Sequence, residues 1–167
     1  MENSKSQLNF ELAQTFREQK MDVVFNAYGI EIIHAGNYSD KIGDRPAMVM
    51  IYWEKCGYCK MAAPHFVNMK QSIEIINKKR ISRGDSLPEI QLFAMNYEME
   101  LNKPFLEAFK VATVPQFVMF SSCGNSGLYS GERTADAFIA SLLEFEEQCV
   151  KPMGLSYQSK IAFTGRF

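Results

Sequence analysis

Two cysteines separated by two residues, Cys56 and Cys59, are the part of this sequence best suited to chemistry. Two intervening residues on one helical turn bring the second sulfur within disulfide distance of the first. One thiolate can then attack a substrate disulfide, and the other can resolve the mixed disulfide by intramolecular attack. The spacing therefore predicts thiol–disulfide exchange, with Cys56 as the nucleophile and Cys59 as the resolving thiol.

Lysines flank this pair on both sides, with Lys55 directly before Cys56 and Lys60 directly after Cys59. Their positive charge favours a thiolate over a thiol. Cys56 also stands where a helical pattern begins, and a helix N-terminus stabilises an anion by roughly 0.3–1 kcal/mol. We therefore expect the two lysines and the helix to activate Cys56, and Lys55 to favour substrates with acidic residues beside their disulfide.

A zinc site is the alternative for the same two cysteines. Its other ligands would have to come from Cys123, Cys149, His34 and His65. None of these four forms a second closely spaced pair, so the spacing favours redox chemistry over metal binding. We expect Cys123 and Cys149 to be separate structural or incidental cysteines in a reduced environment, with a regulatory disulfide or an oxidation-sensitive thiol as the alternatives.

The cysteine pair is expected at a junction between a buried strand and a helix. Residues Ala47 to Trp53 form a continuous apolar run, which is typical of a strand buried on both faces. Beyond the cysteines, apolar residues at helical spacing predict a helix with one buried face. These residues are Met61, Phe66, Met69, Ile73 and Ile76.

A second motif is Val114 and Pro115, directly before a strand-forming run. Proline can begin an edge or bent strand but not occupy its middle, and the Val–Pro bond is a candidate for the cis isomer. The pattern also predicts the following further elements: strands Ile30–Ile33, Ile90–Asn96, Phe117–Ser121 and Gly127–Ser130, and helices Lys103–Lys110 and Ala135–Cys149.

Together the two motifs resemble the thioredoxin superfamily, particularly thioredoxins and the redox domains of protein disulfide isomerases. The resemblance runs from about Ile30 to about Cys149. Besides the Cys-Gly-Tyr-Cys-Lys run, its specific points are Pro64 in the following helix, Val114-Pro115, and Gly131 before the last helix. It implies an α/β, thioredoxin-like fold with a central mixed β-sheet flanked by helices.

The same resemblance implies a function, protein-disulfide oxidoreductase activity without a cofactor. The implied partners are protein or peptide disulfides and a redox protein that donates or accepts electrons. By resemblance, Pro115 stands beside the dithiol and the backbone of Val114 pairs with an extended substrate segment. Gly57 and Tyr58 are the other residues expected to contact the substrate.

Four positions depart from the family pattern. Met50 stands where the family usually buries an acidic residue, and Ala94 stands where a lysine partners that acid. Losing both is physically coherent, because one unpaired buried charge would cost several kcal/mol. We interpret the loss as a changed route for the Cys59 proton. Lys55 replaces the usual tryptophan, and Tyr58 replaces proline or histidine, so the sequence does not rank a reductase against an isomerase.

These departures keep a second class of function open, a thioredoxin-fold binding or chaperone module with an idle dithiol. Composition bears on domain count and on partners. With 167 residues and 47 % hydrophobic content, we expect one globular domain. A net charge of −1 gives no electrostatic reason to expect binding to nucleic acid or anionic membranes. No apolar run approaches the ~20 residues of a membrane span. With no recognisable secretory signal, a reducing, cytoplasmic location is the expectation.

We predict three regions along the chain. Residues 1–29 form a helical extension, residues 30–149 the thioredoxin-like domain, and residues 150–167 an irregular tail. In the extension, Leu8, Leu12 and Phe16 recur at helical spacing. Packing of this helix on the sheet is favoured over a role as a partner-binding arm.

Overall fold

The computed structural model describes residues 2–84 and 89–155. Its helices are α1 Glu2–Glu18, α2 Met21–Ala27, α3 Tyr38–Ile42, α4 Gly57–Ser82, α5 Lys103–Ala108 and α6 Ala135–Leu155, and a 3-10 turn, Glu100–Asn102, precedes α5. Its strands are β1 Glu31–Ile32, β2 Ala47–Tyr52, β3 Gln91–Asn96, β4 Gln116–Phe120 and β5 Ser126–Leu128.

The five strands form one mixed sheet in the order β1-β3-β2-β4-β5. β1 and β2 run parallel to β3, whereas β4 is antiparallel to both β2 and β5. All six residues of β2 are buried, as its continuous apolar run predicts. Ile51 lies opposite Gln116, so the end of β2 and the beginning of β4 meet at the same edge of the sheet.

Helices cover both faces of this sheet. Alternation along β2 directs Met48, Met50 and Tyr52 into a core formed with α1, α2, α4 and α6. The intervening residues Val49 and Ile51 face a second core, which is closed by α3 and α5. The predicted α/β, thioredoxin-like architecture with a mixed sheet flanked by helices is therefore confirmed.

The N-terminal extension consists of two helices, α1 and α2, and not of the single helix that we predicted. Phe16 and Phe25 are fully buried, and their ring centroids lie 5.2 Å apart. The ring of Phe25 also lies 5.2 Å from that of Tyr52 on β2. Because each fully buried aromatic side chain contributes about 1.5–3 kcal/mol, the extension completes a core, in agreement with the packing interpretation.

At the other end, α6 continues to Leu155, past the predicted end at Cys149. The prediction of an irregular tail is wrong for residues 150–155, and residues 156–167 lie outside the described part of the chain. Pro152 and Gly154 suggested the earlier end. Such residues lower helix propensity, but they do not by themselves fix the residue at which a helix ends.

A disulfide joins Cys123, in the turn between β4 and β5, to Cys149 on α6, with a Cα–Cα distance of 5.8 Å. The expectation of two separate cysteines is therefore wrong. Close to this bond, the buried carboxylate of Glu146 accepts the backbone N–H of Ser122 at 2.8 Å and also the Ser122 hydroxyl. The turn is thus held to α6 by hydrogen bonds and by a covalent bond.

Candidate active site

The two free cysteines lie at the beginning of α4. Cys56 is its N-cap residue, with extended backbone angles, and Gly57 is the first helical residue. The backbone N–H of Cys59 donates to Cys56 Sγ at 3.2 Å. Serine or aspartate oxygens usually accept such a bond at a helix N-terminus. Here a sulfur accepts it, and an N–H donor favours the charged form of its acceptor.

The two thiols differ in their exposure. Cys56 is half-buried, whereas Cys59 is fully buried. Burial, and next the hydrogen bond with Cys56, raise the pKa of the Cys59 thiol well above its ordinary value. The backbone of Trp53 and the positive charge of Arg133 act in the opposite direction. One sulfur can therefore meet a second molecule, while the other is protected and predominantly protonated at neutral pH.

The second sequence motif lies beside this pair. The peptide bond between Val114 and Pro115 is cis, in agreement with the prediction. The Cys56 thiol donates a long hydrogen bond to the carbonyl oxygen of Val114, with a sulfur–oxygen distance of 3.9 Å. Because β4 begins one residue after Pro115, its pairing with β2 brings together two motifs that are 58 residues apart.

The two departures from the family's buried ion pair are neighbours in the structure. Met50 on β2 and Ala94 on β3 are partners in the sheet register, and both are fully buried. Neither side chain can accept or donate a proton. A proton that leaves Cys59 therefore finds no carboxylate or amine at these two positions.

The flanking residues present a mixed surface around the dithiol. Lys55 is exposed and Lys60 half-buried. Tyr58 is 68 % exposed, and Met61, one helical turn further, is 66 % exposed. The assignment of Met61 to the buried face of the helix is therefore wrong. A Cβ added to Gly57 would meet nothing within 4 Å, which leaves open space beside Cys56.

Sequence reasoning missed two charged residues near the site. The carboxylate of Glu54 accepts the backbone N–H of Met21 through both oxygens, at 2.9 and 3.0 Å. Arg133 lies close enough to Cys59 for its charge to act on that thiol. Gly131 is one of the points of the family resemblance, and it was the one sequence signal that pointed to this region, two residues before Arg133. No local pattern connects Glu54 with the N-terminal helices.

The alternative zinc ligands are not brought together. Cys123 and Cys149 are bonded to each other, which removes both sulfurs from that ligand set. Nδ1 of His34 accepts the backbone N–H of Gly36 at 3.0 Å, a local structural contact. Across residues 2–84 and 89–155, no group of three or more His, Cys, Asp or Glu side chains could hold a metal ion. Within the same ranges, no helix is long and apolar enough to cross a membrane.

Solved structures similar to this chain include thioredoxin domains of larger proteins. The J-Trx1 fragment of ERdj5 is 15 % identical with a TM-score of 0.57, over 74 % of this chain and 53 % of that fragment. The first thioredoxin domain of mouse protein disulfide-isomerase A4 is 19 % identical with a TM-score of 0.56, over 71 % of this chain and 76 % of that domain. Human ERp44 in its zinc-bound form is 14 % identical with a TM-score of 0.54, over 69 % of this chain and 29 % of that protein.

This chain thus spans about half of the ERdj5 fragment and less than a third of ERp44. At these identities the likeness shows the fold. No curated protein is significantly similar to the chain in sequence. The family model for thioredoxin, however, matches residues 29–144, which include both the cysteine pair and the cis-proline motif. The chain therefore belongs to the thioredoxin family.

Proposed function

We propose that this chain is a protein thiol–disulfide oxidoreductase whose reacting groups are Cys56 and Cys59. The observation that carries the proposal is the position of Cys56 Sγ, half-buried at the start of α4 and 3.2 Å from the donating N–H of Cys59. This N–H and the adjacent Lys55 favour the thiolate, which is the nucleophilic form.

The exchange cycle moves two electrons between two pairs of sulfurs. The Cys56 thiolate attacks one sulfur of a substrate disulfide, the substrate S–S bond breaks, and the other substrate sulfur leaves as a thiolate. Cys59 then loses its proton and attacks Cys56 Sγ. This step releases the second substrate thiolate and forms the Cys56–Cys59 disulfide. The substrate is reduced and the enzyme oxidised, and the reverse sequence oxidises a dithiol substrate.

The substrates proposed are polypeptides that present a disulfide in an extended segment. The carbonyl of Val114, next to Cys56, supplies a backbone group with which such a segment can pair. Gly57 and Tyr58, in the first turn of α4, and Pro115, which follows Val114 through the cis bond, are the further residues proposed to contact it. A second redox protein returns the dithiol to its starting state, and no cofactor takes part because the sulfurs carry both electrons.

Insulin-disulfide reduction with dithiothreitol as the electron source tests the proposal. The wild-type chain should reduce insulin faster than dithiothreitol alone, and Cys56→Ser should fall to the rate without protein. Equal rates for the wild type and Cys56→Ser would contradict the proposal. Titration of the Cys56–Cys59 pair in glutathione buffers then gives the direction: about −270 mV indicates a reductase, and about −180 to −120 mV an isomerase or oxidase.

One observation favours a second candidate, a peptide-binding or chaperone module with an idle dithiol. Met50 and Ala94, which are buried in the same core as Cys59, cannot take part in proton transfer. On this alternative, the wild type and Cys56→Ser bind an unfolded polypeptide equally, and neither reduces insulin. Binding measured by fluorescence anisotropy alongside the insulin assay separates the two candidates.

A reducing, cytoplasmic location stays a prediction, and the second disulfide provides its test. Disulfides persist mainly in oxidising compartments. If the location is cytoplasmic, the bond between Cys123 and Cys149 should be reduced in cells. Rapid acid quenching, alkylation of free thiols and peptide mass spectrometry measure that state directly, and a fully oxidised pair would contradict the prediction.

A further inference from the structure

A contact between distant parts of the chain lies two residues before Cys56. The backbone N–H of Met21 points at the carboxylate of Glu54, 33 residues later, with N–O distances of 2.9 and 3.0 Å. Met21 is the first residue of α2 and is fully buried. The N-cap residue, Lys20, provides no side-chain hydrogen bond, so Glu54 satisfies this helix end in its place.

α2 is itself fixed to the elements on either side of the cysteine pair. The ring of Phe25 packs against Tyr52, the last residue of β2, at 5.2 Å, and against Phe66 of α4 at 6.5 Å. The segment from Trp53 to Lys55 connects β2 to Cys56. The contact with Glu54 therefore ties the middle of this three-residue connection to a helix that packs against both β2 and α4.

We propose that Glu54 is a positioning residue for the dithiol, an inference that rests on the proposed function. By holding the connection, it keeps Cys56 Sγ in line with the N–H of Cys59, the bond that favours the thiolate. Hydrogen bonds to a carboxylate are about twice as strong as those between neutral groups, which suits this task. The amide of glutamine can accept only through its single oxygen, so the bidentate contact is lost in Glu54→Gln.

Positioning and simple electrostatics predict opposite results for Glu54→Gln. A negative charge two residues from Cys56 by itself disfavours a thiolate, so its removal alone would increase the thiolate fraction. Loss of positioning would decrease that fraction, because Cys56 would leave the N–H of Cys59. The sign of the change therefore identifies the role.

The measurement is the alkylation rate of Cys56 by iodoacetamide at pH 7, divided by its rate at pH 10, in the full-length chain. Peptide mass spectrometry distinguishes Cys56 from Cys59. We expect Glu54→Gln to lower this ratio at least threefold. The control Glu18→Gln, which alters an exposed carboxylate on α1, should leave it unchanged. A ratio that rises, or stays at the wild-type value, in Glu54→Gln overturns the inference.

A matched pair at Met21 removes the same contact from the donor side. Proline lacks the N–H and is tolerated at the first position of a helix. Lys20 already has φ −64 and ψ 139, the extended geometry that a residue before proline requires. Met21→Ala shortens the same side chain but keeps the N–H. Met21→Pro should lower the alkylation ratio at least twofold below that of Met21→Ala, and equal ratios contradict the inference.

The insulin assay on the wild type keeps this inference separate from the proposed function. If the wild type reduces insulin but the alkylation ratios of Glu54→Gln and Met21→Pro are unchanged, only the positioning role of Glu54 is rejected, and the proposed function stands. Absence of wild-type turnover, together with the expected fall in the ratios, rejects the proposed function and supports the positioning of Cys56.

Discussion

The chain carries two cysteine pairs at opposite edges of the same sheet. Cys56 and Cys59 are free and lie where β2 ends and α4 begins. Cys123 and Cys149 are bonded and lie beyond the far end of β4. The first pair is separated by three positions on one helical turn, and the second by 26 positions in sequence. The pairs therefore allow a comparison of the same side chain in two settings.

The two cysteine pairs also differ in the groups that surround them. Cys56 Sγ accepts the backbone N–H of Cys59 and directly follows the exposed Lys55 in sequence. Near the second pair, the buried carboxylate of Glu146 accepts both hydrogen-bond donors of Ser122, and the disulfide adds a covalent link between the same turn and α6. The comparison indicates that the place of the sulfurs in the fold, and not the cysteine itself, separates a candidate catalytic dithiol at the start of one helix from a structural disulfide between a turn and a helix.

Removing one sulfur from each pair should give the largest difference in activity between them. We expect Cys56→Ser to lower insulin reduction to the rate without protein, because the nucleophile is gone. Cys123→Ser should keep the wild-type rate, since that sulfur lies at the opposite edge of the sheet. Stopped turbidity assays at equal protein concentration measure both. A loss of turnover in Cys123→Ser would show that the pairs are functionally linked.

The second pair should matter for stability. A disulfide that closes a loop of this size typically contributes about 2–4 kcal/mol to the free energy of unfolding. Cys149→Ser should lower that free energy by about this amount in urea titrations without reductant. Cys123→Ser is the matched variant, because it breaks the same bond from an exposed position. Unequal losses would show that packing of the buried Cys149 contributes separately.

Within the first pair, the comparison becomes one between an accessible and a buried thiol, and pH should separate them. The pKa of Cys59 is raised, mainly by burial, so its thiolate is a small fraction at neutral pH and increases as pH rises. Resolution of the mixed disulfide should therefore accelerate about tenfold per pH unit from pH 6 to 8. Acid-quenched time courses measure this step, and Cys59→Ser isolates the preceding attack by Cys56. A rate independent of pH would mean that deprotonation of Cys59 does not limit resolution.

The sequence predicted what local patterns and family resemblance can specify. The helix start at Cys56 and the cis bond before Pro115 follow from a motif and its immediate neighbours. The family resemblance assigned Met50 and Ala94 to the positions of a buried ion pair, and the sheet register confirms that they are adjacent. In each case the relevant information lies within a few residues or in a regular strand.

The remaining features depend on contacts between distant residues, which leave no periodic signal. The hydrogen bonds from Met21 to Glu54 and the bond between Cys123 and Cys149 are of this kind. The exposure of Met61 shows a related limit. Helical spacing places it in line with buried residues, but spacing alone does not say where along a helix the covering elements begin.

The smallest expected effect concerns Arg133, the charge that distinguishes the surroundings of Cys59 from those of an ordinary buried thiol. Its positive charge lowers the pKa of Cys59, against the larger effects of burial and the Cys56 hydrogen bond. Arg133→Gln should therefore raise that pKa further and slow resolution about twofold to fivefold at pH 7, since an exposed charge acts with under about 1 kcal/mol. The first attack by Cys56 should keep its rate. Arg17→Gln, which changes the same residue type at the end of α1, is the control. If both arginine variants resolve the mixed disulfide at the wild-type rate, the proton of Cys59 leaves without help from this charge, and solvent reaching the site during exchange becomes the remaining acceptor.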